Sequence, residues 1–350
     1  MAEKQKFVSM DALMKDLNKN FKDDCIHKGM SQYDYERIPF TSPNMNYMTH
    51  GGLPKGKLFE FYGEEHGGKT TTALDIVANF QQSDDGRKVL YADFENTLDY
   101  VWATKLGVDV EDMWILNPTN QSAEQCLEYL LRAIETNEIG LIVIDSIGVM
   151  VSQQALEKKL EERTYAGIAM ALTNFSKQAE MLCNKHNCTI IGINQMRDKI
   201  DSTFGGTTTT GGRAWKHNCI GRIEFRRGSF LDGQYHPLTR GAENPQGNLV
   251  CATLTKSKFC SADRRLAQYT LMYDRGIDYV YDLIDVATKY GWIEKSGGWY
   301  TVVDPETGEV YSDKIQGASK LYEWLSSDDN LPVRQQVEAY IEEKANDKQG

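Results

Sequence analysis

From Lys57 onward the chain alternates short apolar runs with longer amphipathic stretches. The runs Leu58 to Tyr62, Lys88 to Ala92, Met113 to Leu116, Leu141 to Ile144 and Thr189 to Ile193 are mostly β-branched or aromatic, the composition of buried strands. In one intervening stretch Ile168, Leu172, Phe175, Ala179 and Leu182 recur at intervals of four and three, which places them on one helix face and in a core. This alternation predicts an α/β fold in which the chain crosses and recrosses a mainly parallel sheet. Two more candidate strands follow, Leu249 to Thr255 and Leu266 to Tyr273.

Two smaller pieces flank this region. Leu13, Leu17 and Phe21 at i, i+4 and i+8 predict a short helix from Met10 to Phe21, followed by a polar connection through Tyr33 and Tyr35 to Pro39. Beyond Gly276 the pattern gives a helix from Tyr279 to Tyr290, a Trp/Tyr-rich hairpin from Trp292 to Val303, and helices around Ala318 to Leu325 and Val333 to Lys344. We divide the chain into residues 1–37, 38–275 and 276–350. Trp292, Trp299 and Tyr300 fit the small core of the last piece better than a base-stacking platform. The low-complexity run from Gly205 to Gly212, GGTTTTGG, is expected to bury nothing.

Composition narrows the class. The 350 residues suit two or three domains, and 41% hydrophobic with 25% charged residues excludes a uniformly disordered or collagen-like chain. The formal charge of −11 means that any nucleic-acid contact must come from a local basic surface, because the average field repels phosphate. No apolar run reaches the length of a membrane helix and the start, MAEKQKFVSM, lacks the apolar segment of a signal peptide, so a cytoplasmic protein without membrane contact is expected. The seven cysteines include no Cys-x-x-Cys pair, which suggests reduced thiols. Cys183, His186 and Cys188 lack a nearby fourth ligand for a structural zinc.

Gly63-Glu-Glu65-His66-Gly67-Gly68-Lys69-Thr70, followed by Thr71, matches G-x-x-x-x-G-K-[ST] between a predicted strand and a predicted helix. Such a loop turns backbone N–H groups into one concavity for phosphate, with Lys69 as a point charge and Thr70 as a hydroxyl ligand for Mg²⁺. Asp145, after the run Leu141 to Ile144, is the candidate second magnesium partner. Tyr91-Ala-Asp93-Phe-Glu95 places two carboxylates past another strand, on the same side if the chain stays extended. Spacing leaves Glu95 open between a base that orients water and a solvated loop acid. The stretch from Met196 to Lys216 is polar and glycine-rich and leaves the carboxyl end of a strand, where α/β sheets bind ligands. Its cations and apolar residues suit a single nucleic-acid strand, with a lid over a small-molecule kinase site as the competitor. Arg222, Arg226 and Arg227 read either as local positive charge or as a solvated face.

These motifs, with Gly51-Gly-Leu-Pro-Lys-Gly56, Lys105-Leu-Gly-Val-Asp109, Ile144-Asp145-Ser146, Ile193-Asn-Gln195, Phe204-Gly205, Thr208-Thr-Thr-Gly-Gly212 and Ile293-Glu-Lys-Ser-Gly-Gly-Trp299-Tyr300, occur in the order and spacing of one family. From about Met10 to about Lys344 the chain resembles the bacterial RecA recombinases. The resemblance implies a RecA-like P-loop ATPase core with an N-terminal polymerisation helix on a linker and a small C-terminal α/β domain that gathers duplex DNA. It implies a DNA-dependent ATPase that uses ATP and Mg²⁺, forms a helical filament on single-stranded DNA, and pairs that strand with homologous duplex in recombination, repair and the SOS response. Loader or repressor proteins are further partners.

By the same resemblance Glu95 is the catalytic glutamate and Gln195 the sensor of the γ-phosphate. Asp99, Trp102 and Tyr273 fall beside the adenine, and Lys256 and Lys258 reach the nucleotide of an adjacent subunit. DNA contacts fall on Tyr165, Lys177, Arg197, Lys199, Ile200, Gly211, Gly212 and Arg213. Departures are Met170 in place of a DNA-contacting arginine, His217 in place of an interface phenylalanine, a second loop one residue shorter, a longer N-terminal linker and no long acidic tail after Lys344. They imply altered cooperativity, nucleotide-to-DNA coupling and duplex binding. Two other readings stay open at this point, a filament scaffold with little hydrolysis and a ring-forming ATPase or helicase on the same core.

Overall fold

The computed structural model describes residues 9–21, 35–157, 167–198, 207–239, 241–261 and 263–346. The chain divides into two units, Met1–Glu36 and Arg37–Gly350. In the first, α1 (Met10–Phe21) starts where the Ser9 hydroxyl accepts a hydrogen bond from the Ala12 N–H at 3.2 Å, and Leu13 and Leu17 lie on a half-buried face.

The second unit opens with β1 (Arg37–Ile38), α2 (Pro43–Thr49) and β2 (Leu53–Pro54), the two strands pairing antiparallel. There follow β3 (Leu58–Gly63), α3 (Lys69–Gln81), β4 (Lys88–Asp93), α4 (Tyr100–Lys105), β5 (Met113–Leu116), α5 (Ala123–Glu135), β6 (Ile139–Asp145), α6 (Gln153–Glu157) and α7 (Gly167–His186). Next come β7 (Thr189–Asp198), β8 (Thr207–Thr209), α8 (Gly212–Asn218), β9 (Gly221–Leu231), β10 (Gly247–Ser257), β11 (Leu266–Met272) and β12 (Gly276–Ile277). Among the described residues the central sheet runs β5-β4-β6-β7-β3-β9-β10-β11-β12, parallel as far as β9 and antiparallel beyond it, with β8 folded back on β7.

Strand alternation feeds two cores. Phe59, Phe61, Leu141, Val143, Ile191 and Ile193 join Leu74 and Val77 of α3 on one face. Leu58, Ile142, Ile144 and Ile190 join Leu127 and Leu130 of α5 and Leu172 and Phe175 of α7 on the other. Helices on both faces explain why these strands read as continuous apolar runs. The run GGTTTTGG departs from expectation: Thr207–Thr209 is a strand, Met196 lies opposite Thr209, and Thr209 and Gly211 are buried. Backbone pairing needs no apolar side chain, and threonine is itself β-branched.

The C-terminal part, α9 (Tyr279–Lys289), β13 (Ile293–Ser296), β14 (Trp299–Val302), β15 (Ile315–Gln316), α10 (Ala318–Ser326) and α11 (Leu331–Asn346), has its own core around Leu283, Val286, Trp292, Tyr300, Leu321 and Val337. Trp299 stays 44% exposed, so the hairpin aromatics divide between core and surface. This part is fastened to the sheet through α2. Fully buried Asp282 of α9 accepts hydrogen bonds from the Ser42 hydroxyl and from Asn44 Nδ2 at 3.1 Å, while Lys289 Nζ donates to Asn44 Oδ1 at 2.5 Å. Among the described residues no helix is long and apolar enough to cross a membrane.

Burial pushes the Asp282 carboxyl from the ordinary 3.8 up to about 7, against the pull of its hydrogen bonds from Ser42 and Asn44. The folded state therefore holds a proton that the unfolded chain releases between these two values, and stability relative to Asp282→Asn falls as pH rises through that window. Urea midpoints of both proteins from pH 5 to 8 should show the wild-type value falling relative to that of Asp282→Asn through about pH 7 and levelling off above it. A difference independent of pH contradicts this assignment.

Candidate nucleotide site and its neighbouring loop

Parallel pairing brings the carboxyl ends of several strands to one edge of the sheet. Gly63 stands in register with Gln195 on β7 and with Phe225 on β9, and Asp93 stands in register with Asp145. Open α/β sheets bind ligands at this edge.

The loop after β3 is pressed onto the neighbouring backbone. A Cβ on Gly63, whose φ is 151°, would lie 2.0 Å from the Phe225 carbonyl oxygen. One on Gly67 would lie 2.9 Å from the same oxygen, so these positions require glycine. Glu65 and His66 form the exposed crown of the loop. Lys69 opens α3, is 8% exposed, and donates through Nζ to the carbonyls of Gly63 at 3.2 Å and Glu64 at 2.5 Å. Burial lowers its pKa, and the nearby Asp145 and Glu95 carboxylates oppose that shift.

Asp145 Oδ2 accepts from the Thr70 hydroxyl at 2.9 Å and from the Tyr91 hydroxyl at 2.7 Å. Burial pushes its carboxyl up to about 6, with Glu95 and Asp93 adding to the rise and the two hydroxyl donors opposing it. The Thr70 and Asp145 oxygens are hard donors that fit Mg²⁺. Among the described residues no group of three or more His, Cys, Asp or Glu side chains is placed to hold a metal ion.

The loop opens onto a cavity of about 480 Å³, a size suited to a mononucleotide. His66, Gly67, Gly68, Lys69, Thr70 and Thr71 form one wall, and Trp102, Arg227, Asn248, Leu271 and Tyr273 form the other. Trp102 Nε1 donates to the Thr71 hydroxyl at 3.3 Å, and the Tyr273 hydroxyl donates to Asn248 Oδ1 at 2.8 Å. Asp99 lies outside this lining. It caps α4 by accepting from the Trp102 N–H at 2.9 Å and so orients the helix that carries Trp102.

Asn248 and Leu271 are not singled out by sequence, and Arg227 reads there only as local positive charge or part of a solvated face. Pairing of β9 with β10 slips between Asn248 and Val250, a bulge that breaks the alternation on which the orientation of Arg227 and Asn248 would be read, and Leu271 is brought beside Asn248 only by the pairing of β10 with β11. The three arginines of β9 do not form one solvated face. Arg222 pairs with Glu60, Arg226 with Glu224, and Arg227 lies over the Phe230 ring at 4.7 Å beside the cavity.

Asp93 and Glu95 do not act side by side, because β4 ends at Asp93 and the chain bends from Phe94 onward. Buried Asp93 accepts the backbone N–H groups of Thr97 at 3.3 Å and Leu98 at 3.0 Å. Glu95 is held at the sheet edge by its own N–H, which donates to the Asp145 carbonyl at 3.3 Å. Its Oε1 accepts from the Ser146 hydroxyl at 2.5 Å and from Gln195 Nε2 at 3.1 Å.

Around the second loop, Arg197 and Arg213 are exposed, Arg197 donating to the Gly148 carbonyl at 2.8 Å. Gly211 and Gly212, at φ 92° and 75°, turn the chain into α8. Lys177 and Met170 are exposed on α7, and His217 on α8. Tyr165, Lys199 and Ile200 lie outside the described residues. The lysine pair is divided: Lys256 Nζ donates to the carbonyls of Lys216 and His217, both at 2.7 Å, at the end of α8, whereas Lys258 is exposed.

A sequence profile of the RecA N-terminal domain matches residues 8–278. Protein RecA of Bacteroides thetaiotaomicron is 34% identical over 313 residues, covering 88% of this chain and 91% of that protein. This chain belongs to the RecA family. Protein RecA of Streptomyces ambofaciens is 30% identical over 348 residues, covering 98% of this chain and 88% of that protein. The crystal structure of the RadB recombinase aligns with a TM-score of 0.49 at 20% identity, covering 67% of this chain and 95% of that one.

The cavity wall of this RecA-family chain makes a specific prediction. Arg227→Ala should weaken binding of a non-hydrolysable ATP analogue about tenfold, the effect of losing one hydrogen bond to a charged group. Arg226→Ala, next to it but paired with Glu224, should change it less than about twofold. Equal effects in a titration would remove Arg227 from the site.

Proposed function

We infer that this RecA-family protein is an ATP-dependent DNA recombinase that polymerises on single-stranded DNA and catalyses homologous pairing and strand exchange. One observation carries the reading: Glu95, held by Ser146 and Gln195, stands at the sheet edge from which the second loop leaves, with Gln195 on the strand that leads into that loop.

Bound ATP with Mg²⁺ supplies the phosphoanhydride and the charge that activates it. The backbone N–H groups of Gly67 and Gly68 and the Lys69 ammonium bind its phosphates, while Thr70 and Asp145 hold the cation. Trp102 and Tyr273 pack the base. With Oε1 held by Ser146 and Gln195, Glu95 has Oε2 to orient the attacking water and take its proton. Gln195 ties this step to the second loop, because any movement of its side chain changes its bond to Glu95. Single-stranded DNA runs along Lys177, Arg197, Gly211, Gly212 and Arg213, together with Tyr165, Lys199 and Ile200. These local cations give an acidic chain a phosphate-binding track.

In a filament, Lys258 reaches the nucleotide of the neighbouring protomer, and Lys256 links that contact to α8 behind the loop. ATP shared by two protomers favours their docked state, so nucleotide controls assembly.

Negative-stain images with a slowly hydrolysed ATP analogue and single-stranded DNA should show helical filaments, and closed rings would overturn the reading. Glu95→Gln should keep ATP binding while turnover falls about a hundredfold or more, the usual size of general-base loss. Unchanged turnover removes Glu95 from the mechanism. Arg213→Ala should weaken DNA binding about equally across sequences and lower the salt slope by about one phosphate contact. A loss confined to particular sequences would indicate base readout instead.

A further inference from the structure

Glu60 is a carboxylate with no solvent exposure in the middle of the sheet, and none of the chemistry above uses it. It stands opposite Arg222 across the β3–β9 pairing and accepts from Arg222 Nε and from Asn194 Nδ2, the latter at 2.8 Å. A buried carboxylate is costly unless paired, and a buried pair often adds little stability over apolar residues of the same size. Its position therefore calls for another account.

Asn194 makes the geometry specific. Its Nδ2 donates to Glu60 and to the Thr210 carbonyl at 3.0 Å. Its Oδ1 accepts from the Thr210 hydroxyl at 2.6 Å and from the Gln195 N–H at 3.0 Å. Two acceptors face the amide nitrogen and two donors face the oxygen, so only one orientation of the side chain satisfies all four. Arg222 lies over the Tyr62 ring at 4.5 Å and donates to the Thr209 hydroxyl at 3.3 Å. The cluster thus holds both the backbone of Gln195, whose side chain touches Glu95, and the returning stem of the second loop at Thr209 and Thr210.

We propose that Glu60, Asn194 and Arg222 are positioning residues that transmit DNA contact at the second loop to the Glu95–Gln195 site, with Thr210 as the point where the loop engages them. The proposal rests on the recombinase reading. A shift of Thr210 pulls on both ends of the Asn194 amide, and the amide is anchored on its far side by Glu60. Its oxygen holds the Gln195 N–H, so the shift is passed along β7 by one residue. Fully satisfied polar networks of this kind are stiff, which suits them to carry displacement rather than absorb it.

Thr210→Val removes the hydroxyl while keeping the shape, and Thr210→Ser keeps the hydroxyl. Glu60→Gln removes the charge but is buried and can fail to fold, in which case the Thr210 pair decides. ATP turnover is measured without DNA and at saturating single-stranded DNA, with DNA affinity measured separately. Thr210→Val and Glu60→Gln should keep DNA-free turnover within about twofold but lose DNA stimulation by about fivefold or more, at little change in DNA affinity. Thr210→Ser should stay stimulated. Wild-type stimulation in Thr210→Val, or equal losses in Thr210→Val and Thr210→Ser, would overturn the proposal. Absence of stimulation in the wild-type protein would instead overturn the recombinase reading, and the proposal with it.

Discussion

The close approach of the phosphate loop to β9 sets the geometry of everything around it. Gly63 sits between Gln195 and Phe225 in the parallel register, and its φ of 151° with a carbonyl oxygen 2.0 Å from a notional Cβ leaves no room for a side chain. That contact fixes where Lys69 and Thr70 begin α3. Thr70 then meets Asp145, and the Asp145 carbonyl receives the N–H groups of Phe94 and Glu95. Three strands are in this way tied to one loop by backbone and side-chain bonds within a single edge of the sheet.

The same edge separates two polar systems by strand alternation. Gln195 faces Glu95, whereas Asn194, one residue earlier, faces Glu60 and Thr210 on the side covered by α8. Adjacent residues on one strand therefore serve the reacting centre and the loop stem respectively. Trp215 of α8 is fully buried against this face, and a Cβ on Gly192 would lie 2.4 Å from its ring, so β7 admits the helix only where it has no side chain. Hydrogen bonds through Asn194 connect Thr210, just before α8, to the Gln195 backbone.

Much of this was legible from sequence because it depends on period and spacing. Strand runs such as Leu141 to Ile144 and helix stripes such as Leu172, Phe175 and Ala179 follow from burial on both sheet faces. The phosphate loop declared itself by glycine spacing. What escaped depends on pairing between distant segments. The polar strand Thr207–Thr209 forms because β7 offers it a partner, and Asn248 and Leu271 line the cavity beside Arg227 through the pairing of β9, β10 and β11. Asp93 and Glu95 share a side only if the chain stays extended, and it bends from Phe94, directly after β4. The roles of Glu60 and Arg222 could not be read from one segment, since an acid on a strand becomes informative only once its partner is placed beside it.

The central claim is that one edge of the sheet joins hydrolysis to DNA contact. ATP turnover of the unmodified protein, with and without single-stranded DNA at low and high salt, tests it most directly. Turnover should rise with DNA and lose that rise at high salt, because the contact rests on phosphate charge. Tight DNA binding at both salts with turnover unaffected by DNA would contradict it.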